Sequence, residues 1–151
     1  MDLELVPLSP PRGERWWVPF GSADGFEPRW WCANKSTRDI GHRFVQVLRG
    51  GQEVARLELD DTLRLGELDH YTAVPVSAKP TLEIQLLEVA YRYRRQGIAS
   101  AVVNLLDAAH PDHRLAAFSE QADDFWGSLP RWNRYVTKRS PHLTRTLFIR
   151  P

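Results

Sequence analysis

The sequence has little cysteine, no long apolar run and almost no charge imbalance, and each shortage removes a class of protein. A single cysteine, Cys32, stands in 151 residues, so no internal disulfide framework can form and no second cysteine is present to make a zinc pair. That usage fits a reducing compartment, and the expected setting is cytoplasmic. No window approaches the roughly 18 apolar residues of a membrane-spanning helix. The first residues reach Pro10-Pro11 without a basic start or a continuous apolar stretch, unlike a secretory signal. Twenty Lys and Arg oppose 19 Asp and Glu, leaving a formal net charge of +1. That balance gives no global reason to expect nucleic acid or an anionic membrane as partner. The five histidines are scattered without ligand spacing, so no metal site is expected. Internal repeats and low-complexity tracts are also missing.

What is present is one domain's worth of chain with patterned elements in its second half and centre. Six tryptophans fall in two regions, Trp16-Trp17 with Trp30-Trp31 and then Trp126 with Trp132. They read as core and loop packing, with a substrate-facing role as the alternative. Residues 1–41 form an irregular, Trp-rich part, and from Pro7 to about Ile40 no period assigns a helix. Arg43–Leu48 and Val54–Leu59 read as a hairpin about Gly50-Gly51. Asp60–Lys79 reads as a polar connection, and a strand follows over Leu82–Val89. Ile98, Ala101, Val102, Leu105 and Ala109 then recur at spacings of three and four, predicting an amphipathic helix from near Arg95 to His110-Pro111. Leu115–Phe118 reads as a buried strand, so strand, helix and strand make a crossover unit with parallel strands. Ala122–Leu129 reads as a helix ended by Pro130, and Leu143–Ile149 as a closing strand.

The chemistry is concentrated where the Leu82–Val89 strand hands over to the helix, through Ala90-Tyr91-Arg92-Tyr93-Arg94-Arg95-Gln96-Gly97-Ile98-Ala99-Ser100. Amides at a helix start have no partner inside the helix, and the helix dipole places partial positive charge there, so the turn suits an anion such as a pyrophosphate. Gly97 and the small Ala99 allow close approach to the backbone. Arg94-x-x-Gly97-x-Ala99, preceded by Leu87-x-Val89, resembles the Arg/Gln-x-x-Gly-x-Gly/Ala signature of the GNAT superfamily of N-acetyltransferases. Ser119-x-x-Ala122-x-x-Phe125-Trp126 resembles that family's Asn-x-x-Ala-x-x-Phe-Tyr. Together the two cover 82–129, and the resemblance implies that this stretch is the acyl-CoA-binding core of a single GNAT-like domain over 1–151.

The resemblance implies an α/β fold with a mixed sheet splayed at its central strands, the cofactor entering the gap between the Leu82 and Leu115 strands. It implies that acetyl-CoA is the co-substrate and a primary amine, of a small molecule or protein, the acceptor. The backbone of Leu87 and Val89 would hold the pantetheine arm. The amides of Arg95, Gln96, Gly97, Ile98, Ala99 and Ser100 would hold the pyrophosphate, with Arg94 and Arg95 adding charge-assisted contacts. The Val89 N–H would also stabilise the oxyanion. An alkylammonium must lose a proton before it attacks. Glu83 lies six residues before Val89, where histone-type members carry a glutamate, and is the first candidate base. Glu88 is the second and Glu120 a weaker third. The usual tyrosine acid is replaced by Trp126, which cannot protonate a thiolate. Ser119, a water or Tyr135 would have to serve, or the thiolate leaves unprotonated. Two other readings stay open: a non-catalytic acyl-CoA-binding or interaction module, and an RNA-contacting protein using Tyr91–Arg95. The sequence does not specify the acceptor or the oligomeric state, a homodimer included.

Overall fold

A computed structural model describes residues 1–63, 68, 70–138 and 145–151. They adopt a mixed α/β fold in two compact units, Met1–Leu59 with Leu86–Leu106 and Asp60–Gln85 with Asp107–Pro151. In chain order the strands are β1 (Glu4–Leu8), β2 (Trp16–Trp17), β3 (Lys35–Ser36), β4 (His42–Arg49), β5 (Gln52–Asp60), β6 (Thr81–Val89), β7 (Arg114–Ser119), β8 (Asn133–Tyr135) and β9 (Thr146–Arg150). The helices are α1 (Pro28–Trp31), α2 (Ile98–Ala109) and α3 (Asp123–Ser128), with a 3-10 turn at Tyr91–Tyr93.

In the first unit the strand order is β1-β4-β5-β6. β1 lies antiparallel to β4, with Glu4 opposite Leu48 and Leu8 opposite Phe44. The irregular part expected before Ile40 therefore begins with an edge strand and contains the small β2–β3 hairpin, Trp16 opposite Ser36. The β4–β5 turn is the one the glycines require, since Gly50 and Gly51 take φ of 59° and 79°, the left-handed pair of a tight two-residue hairpin. On β5 the alternation Val54, Arg56, Glu58 would ordinarily mark a half-solvated face, yet Arg56 is 3% and Glu58 6% exposed. The Trp-rich segment covers them. The Arg56 guanidinium lies 4.7 Å from the ring centre of Phe20 and 4.2 Å from that of Phe26, and bonds Glu53 at 2.8 Å. Phe20, Phe26, Trp31, Phe44 and Ala90 form one buried cluster, with Trp17 and Leu86 packed against it.

α2 starts at Ile98 rather than near Arg95, because Arg95 and Gly97 have φ of 62° and 77° and cannot belong to a right-handed helix. Its buried residues are Ile98, Val102, Val103 and Leu106. The buried stripe thus runs through Val103 and Leu106, and Ala109 at the helix end is exposed.

In the second unit the order is β6-β7-β9-β8. β6 and β7 are parallel, as the crossover unit predicts, with register pairs from Thr81↔Arg114 to Glu83↔Ala116. Among the described residues the register pairs of β6 and β7 end at Glu83↔Ala116, while β7 continues to Ser119. β9 begins at Thr146, and positions 143 and 144 of the expected closing strand lie outside the described residues. The Asp60–Lys79 connection contributes more than a link. Leu68 and Tyr71 join Ala116, Leu147 and Ile149 in a buried cluster, and the Tyr71 hydroxyl donates to the Arg145 carbonyl at 2.9 Å.

Candidate acyl-CoA site

Strand β6 carries two chemistries on opposite faces. In the first unit's part of β6, Leu87 and Val89 take one face and Leu86 and Glu88 the other; in the second unit's part, Glu83 and Gln85 share a face opposite Ile84. The expected cofactor residues Leu87, Val89 and Arg94–Ser100 all fall in the first unit, as does Glu88, whereas Glu83 and Ser119 belong to the second.

After Val89 the chain turns sharply. The Ala90 amide donates to the Val54 carbonyl at 2.9 Å and the Tyr91 amide to Gly25 at 3.0 Å, fixing both neighbours of the turn. Gly25 is required there: its φ is +89°, and a Cβ would stand 3.2 Å from the Tyr91 nitrogen. Arg94, Arg95, Gln96 and Gly97 are exposed, and left-handed Arg95 and Gly97 flank a Gln96 that is not left-handed. Alternating hands of this kind turn successive amides into an anion-binding concavity, directly before the first turn of α2. A left-handed arginine costs on the order of 1 kcal/mol. A Cβ built on Gly97 would meet nothing within 4 Å, so the backbone is open to an approaching ligand. Exposed residues, open space above Gly97 and the exposed Arg92 and Arg95 together fit a pyrophosphate. Arg49, which the sequence did not single out, adds a further cation: it reaches the Gln96 side chain at 3.5 Å and lies 5.2 Å from the Tyr93 ring centre.

Arg94 has local tasks. Its Nε donates to the Val89 carbonyl at 3.0 Å and its Nη2 approaches Glu88 Oε2 at 3.4 Å. Glu88 is 4% exposed, and its Oε1 accepts the Trp31 indole N–H at 2.8 Å and the Glu27 amide at 3.0 Å. One buried carboxylate thus ties the N-terminal end of α1 and its buried tryptophan to the arginine that braces Val89. Glu27 is itself the α1 cap, and the Arg29 side chain, with the Arg29 amide, holds its carboxyl below the usual value.

In the second unit Glu83 is 7% exposed. The Gln85 side-chain amide lies between two carboxylates, 3.3 Å from Asp60 and 3.5 Å from Glu83. Asp60, also 7% exposed, accepts the Thr62 amide at 2.8 Å. Ser119, 3% exposed, accepts the Ala122 amide at 3.1 Å and donates to Asp123. That bond, with the Thr146 hydroxyl at 2.8 Å and Arg134 farther out, holds the Asp123 carboxyl below its ordinary value. Trp126 is buried against Phe125 and Trp132, with ring centres 4.9 and 5.0 Å away, while Tyr135 packs at the margin of the Tyr71 cluster. Glu120 is exposed and paired with Arg145 at 3.4 Å. Among the described residues no group of three His, Cys, Asp or Glu is placed to hold a metal, and no helix is long and apolar enough to cross a membrane.

No protein-family model matches the chain, and no curated protein sequence matches it. Solved structures do. AtaTR bound with acetyl-CoA superposes with a TM-score of 0.56 at 17% identity, over 97% of this chain and 92% of that one. AtaT complexed with acetyl-methionyl-tRNAfMet gives 0.54 at 14%, over 97% and 94%. The N-acetyltransferase YlbP of Bacillus subtilis, in complex with coenzyme A, gives 0.50 at 18%, over 72% and 67%. At these identities the likeness is one of architecture, and it agrees with the parallel β6–β7 pair and the turn into α2: the chain has the fold of the GNAT superfamily of N-acetyltransferases.

Proposed function

We propose that the chain is a single-domain N-acetyltransferase that moves an acetyl group from acetyl-CoA to a primary amine by direct attack in a ternary complex. The observation that carries this reading is the exposed Arg94–Gly97 turn, whose left-handed residues and open backbone precede the first turn of α2. It is supported by the acetyl-CoA and coenzyme A complexes of structures with this fold. In this reading the amides of Arg95–Ser100 bind the pyrophosphate, with Arg49 and Arg95 adding charge. The backbone of Leu87 and Val89 aligns the arm that ends in the thioester, and acetyl-CoA supplies that thioester when bound. The Val89 N–H faces the developing oxyanion, and the Arg94 bond to the Val89 carbonyl fixes the next peptide along, at the start of the turn.

Glu83 is the proton acceptor in this account. Glu88 already accepts three donors, so its role is to position the Val89 turn rather than to touch the amine. Ser119 likewise serves as the cap before α3 and as a donor to Asp123, and Trp126 cannot supply a proton, so the thiolate departs unprotonated or through water. The test is release of free thiol from acetyl-CoA across a panel of amines, repeated with Glu83→Gln. Thiol release with at least one amine, reduced about a hundredfold in the variant, is expected for loss of a general base. Acetyl-CoA binding without release for any amine removes the enzyme reading and leaves an acyl-CoA-binding module; full activity in Glu83→Gln removes Glu83 as base.

A further inference from the structure

The first unit contains a cleft of about 330 Å³ that the acyl-CoA reading does not use. Its volume is in the range of a small-molecule site. Trp17 and Phe44 form an apolar wall, their rings edge to face at 5.8 Å. On the polar side Glu58, only 8% exposed in its side chain, accepts from or faces His42 Nδ1 at 3.1 Å and lies 3.9 Å from Lys35 Nζ. His42 Nε2 lies 3.7 Å from Asp39, whose side chain is half exposed at the rim.

Three features make this more than a solvated crevice. Both signs of charge line one concavity beside an aromatic wall, so a ligand with an apolar frame and two opposite charges finds a partner for each part. Glu58 is buried with the His42 ring at 3.1 Å and Lys35 at 3.9 Å, so its carboxylate is held inside the concavity rather than in bulk solvent. Phe44 and Trp17 also belong to the cluster that packs Leu86 and Ala90, so the aromatic wall of the cleft is anchored in the packed core of this unit.

We infer that this cleft binds a primary amine that carries its own anionic group on an apolar frame, of which a free apolar amino acid is the simplest. The ammonium sits among Glu58, Asp39 and the His42 ring, the carboxylate meets Lys35, and the side chain lies on Trp17 and Phe44. That this ligand is also the acyl acceptor rests on the acetyltransferase reading above; the binding itself does not.

The test is calorimetry of the full chain with L-leucine and L-phenylalanine, each compared with its amide, which lacks the carboxylate, and its N-acetyl form, which lacks the ammonium. Binding of at least one amino acid, weakened about tenfold or more by removing either charge, is expected for one lost charge-assisted contact. Lys35→Met, at a half-buried position away from the acyl-CoA turn, abolishes the preference for the acid over the amide. Glu58→Gln weakens the amino acid and spares the N-acetyl form. No binding up to about 20 mM, or equal affinity for acid, amide and N-acetyl forms, overturns the inference. Thiol release measured beside it separates the two readings. Amino acid binding without release keeps the cleft and removes the acetyltransferase, whereas release with other amines and no amino acid binding does the reverse.

Discussion

Replacing Glu88 separates a positioning role from a proton-transfer role, because glutamine and alanine remove different things. Glu88→Ala takes the acceptor from the Trp31 indole, in a residue 2% exposed, and from the half-buried Glu27 amide. A buried donor left without a partner costs about 1–3 kcal/mol, and the Glu27 amide, nearer solvent, costs less, so the sum is about 3 kcal/mol. For a chain of this length that lowers the melting temperature by roughly 6–12 °C. Glu88→Gln keeps an oxygen in the position of Oε1 and loses only the charge facing Arg94, whose side chain is 48% exposed at 3.4 Å. The contact is long and its arginine is half in solvent, which screens it, so although Glu88 is buried the pair contributes about 1 kcal/mol. Thermal melts of the three proteins therefore rank wild type and Glu88→Gln together, with Glu88→Ala well below. Acetyl-CoA affinity, measured by calorimetry below the alanine variant's melt, falls more in Glu88→Ala than in Glu88→Gln because the Arg94 brace on Val89 loosens. Two results refute this reasoning. Equal destabilisation by both variants means the hydrogen bonds to Oε1 do not hold the segment. A stable Glu88→Gln that binds acetyl-CoA normally yet has lost turnover makes Glu88 the base.

Other consequences are as specific. Gly97→Ala forces a Cβ onto a φ of 77° with empty space around it, so strain and blocked approach act together: stability falls by about 1 kcal/mol and acetyl-CoA affinity by more than that strain alone. A calorimetric titration showing unchanged affinity would remove the turn as the anion site. Gly25→Ala, with a Cβ 3.2 Å from the Tyr91 nitrogen and φ of +89°, destabilises the docking of the N-terminal segment and increases amide exchange at Tyr91. The folded chain holds Asp123 ionised below its ordinary pKa, through Ser119 first and then Thr146. Its charge therefore contributes stability above the ordinary aspartate value of about 4, and that contribution is lost as pH falls through the lowered folded value. Asp123→Asn should flatten the acid limb of a denaturant-midpoint profile below about pH 4; an unchanged limb contradicts the assignment.

The parts legible in the sequence are those whose signals are local. The β4–β5 hairpin is announced by Gly50-Gly51, and β6, the turn and α2 by alternation, a glycine and a helical stripe in immediate succession. The start of α2 was misplaced by three residues because nothing in the residue type of Arg95 signals a left-handed backbone. The Trp-rich segment was not legible, since its order comes from partners 57 and 61 positions away, Trp31 and Glu27 on Glu88, and from Arg56 beneath Phe20 and Phe26. Such contacts leave no periodic trace. The cleft was missed for a related reason: Glu58 occupies an alternating strand position, which reads as a solvated face until the covering segment is known. Glu83 stands as a candidate base only through the family resemblance, which places a glutamate six residues before Val89, while the Gln85 amide between Glu83 and Asp60 emerged from the fold.

The claim on which the rest depends is that backbone amides at the β6–α2 junction bind acetyl-CoA. It is tested most directly by following the backbone N–H resonances of isotopically labelled protein while acetyl-CoA is added. The account predicts saturable shifts concentrated at Leu87, Val89 and Arg95–Ser100, with the indole signal of Trp31 moving little. Saturable binding that leaves those amides unshifted, or no binding at all, would contradict it.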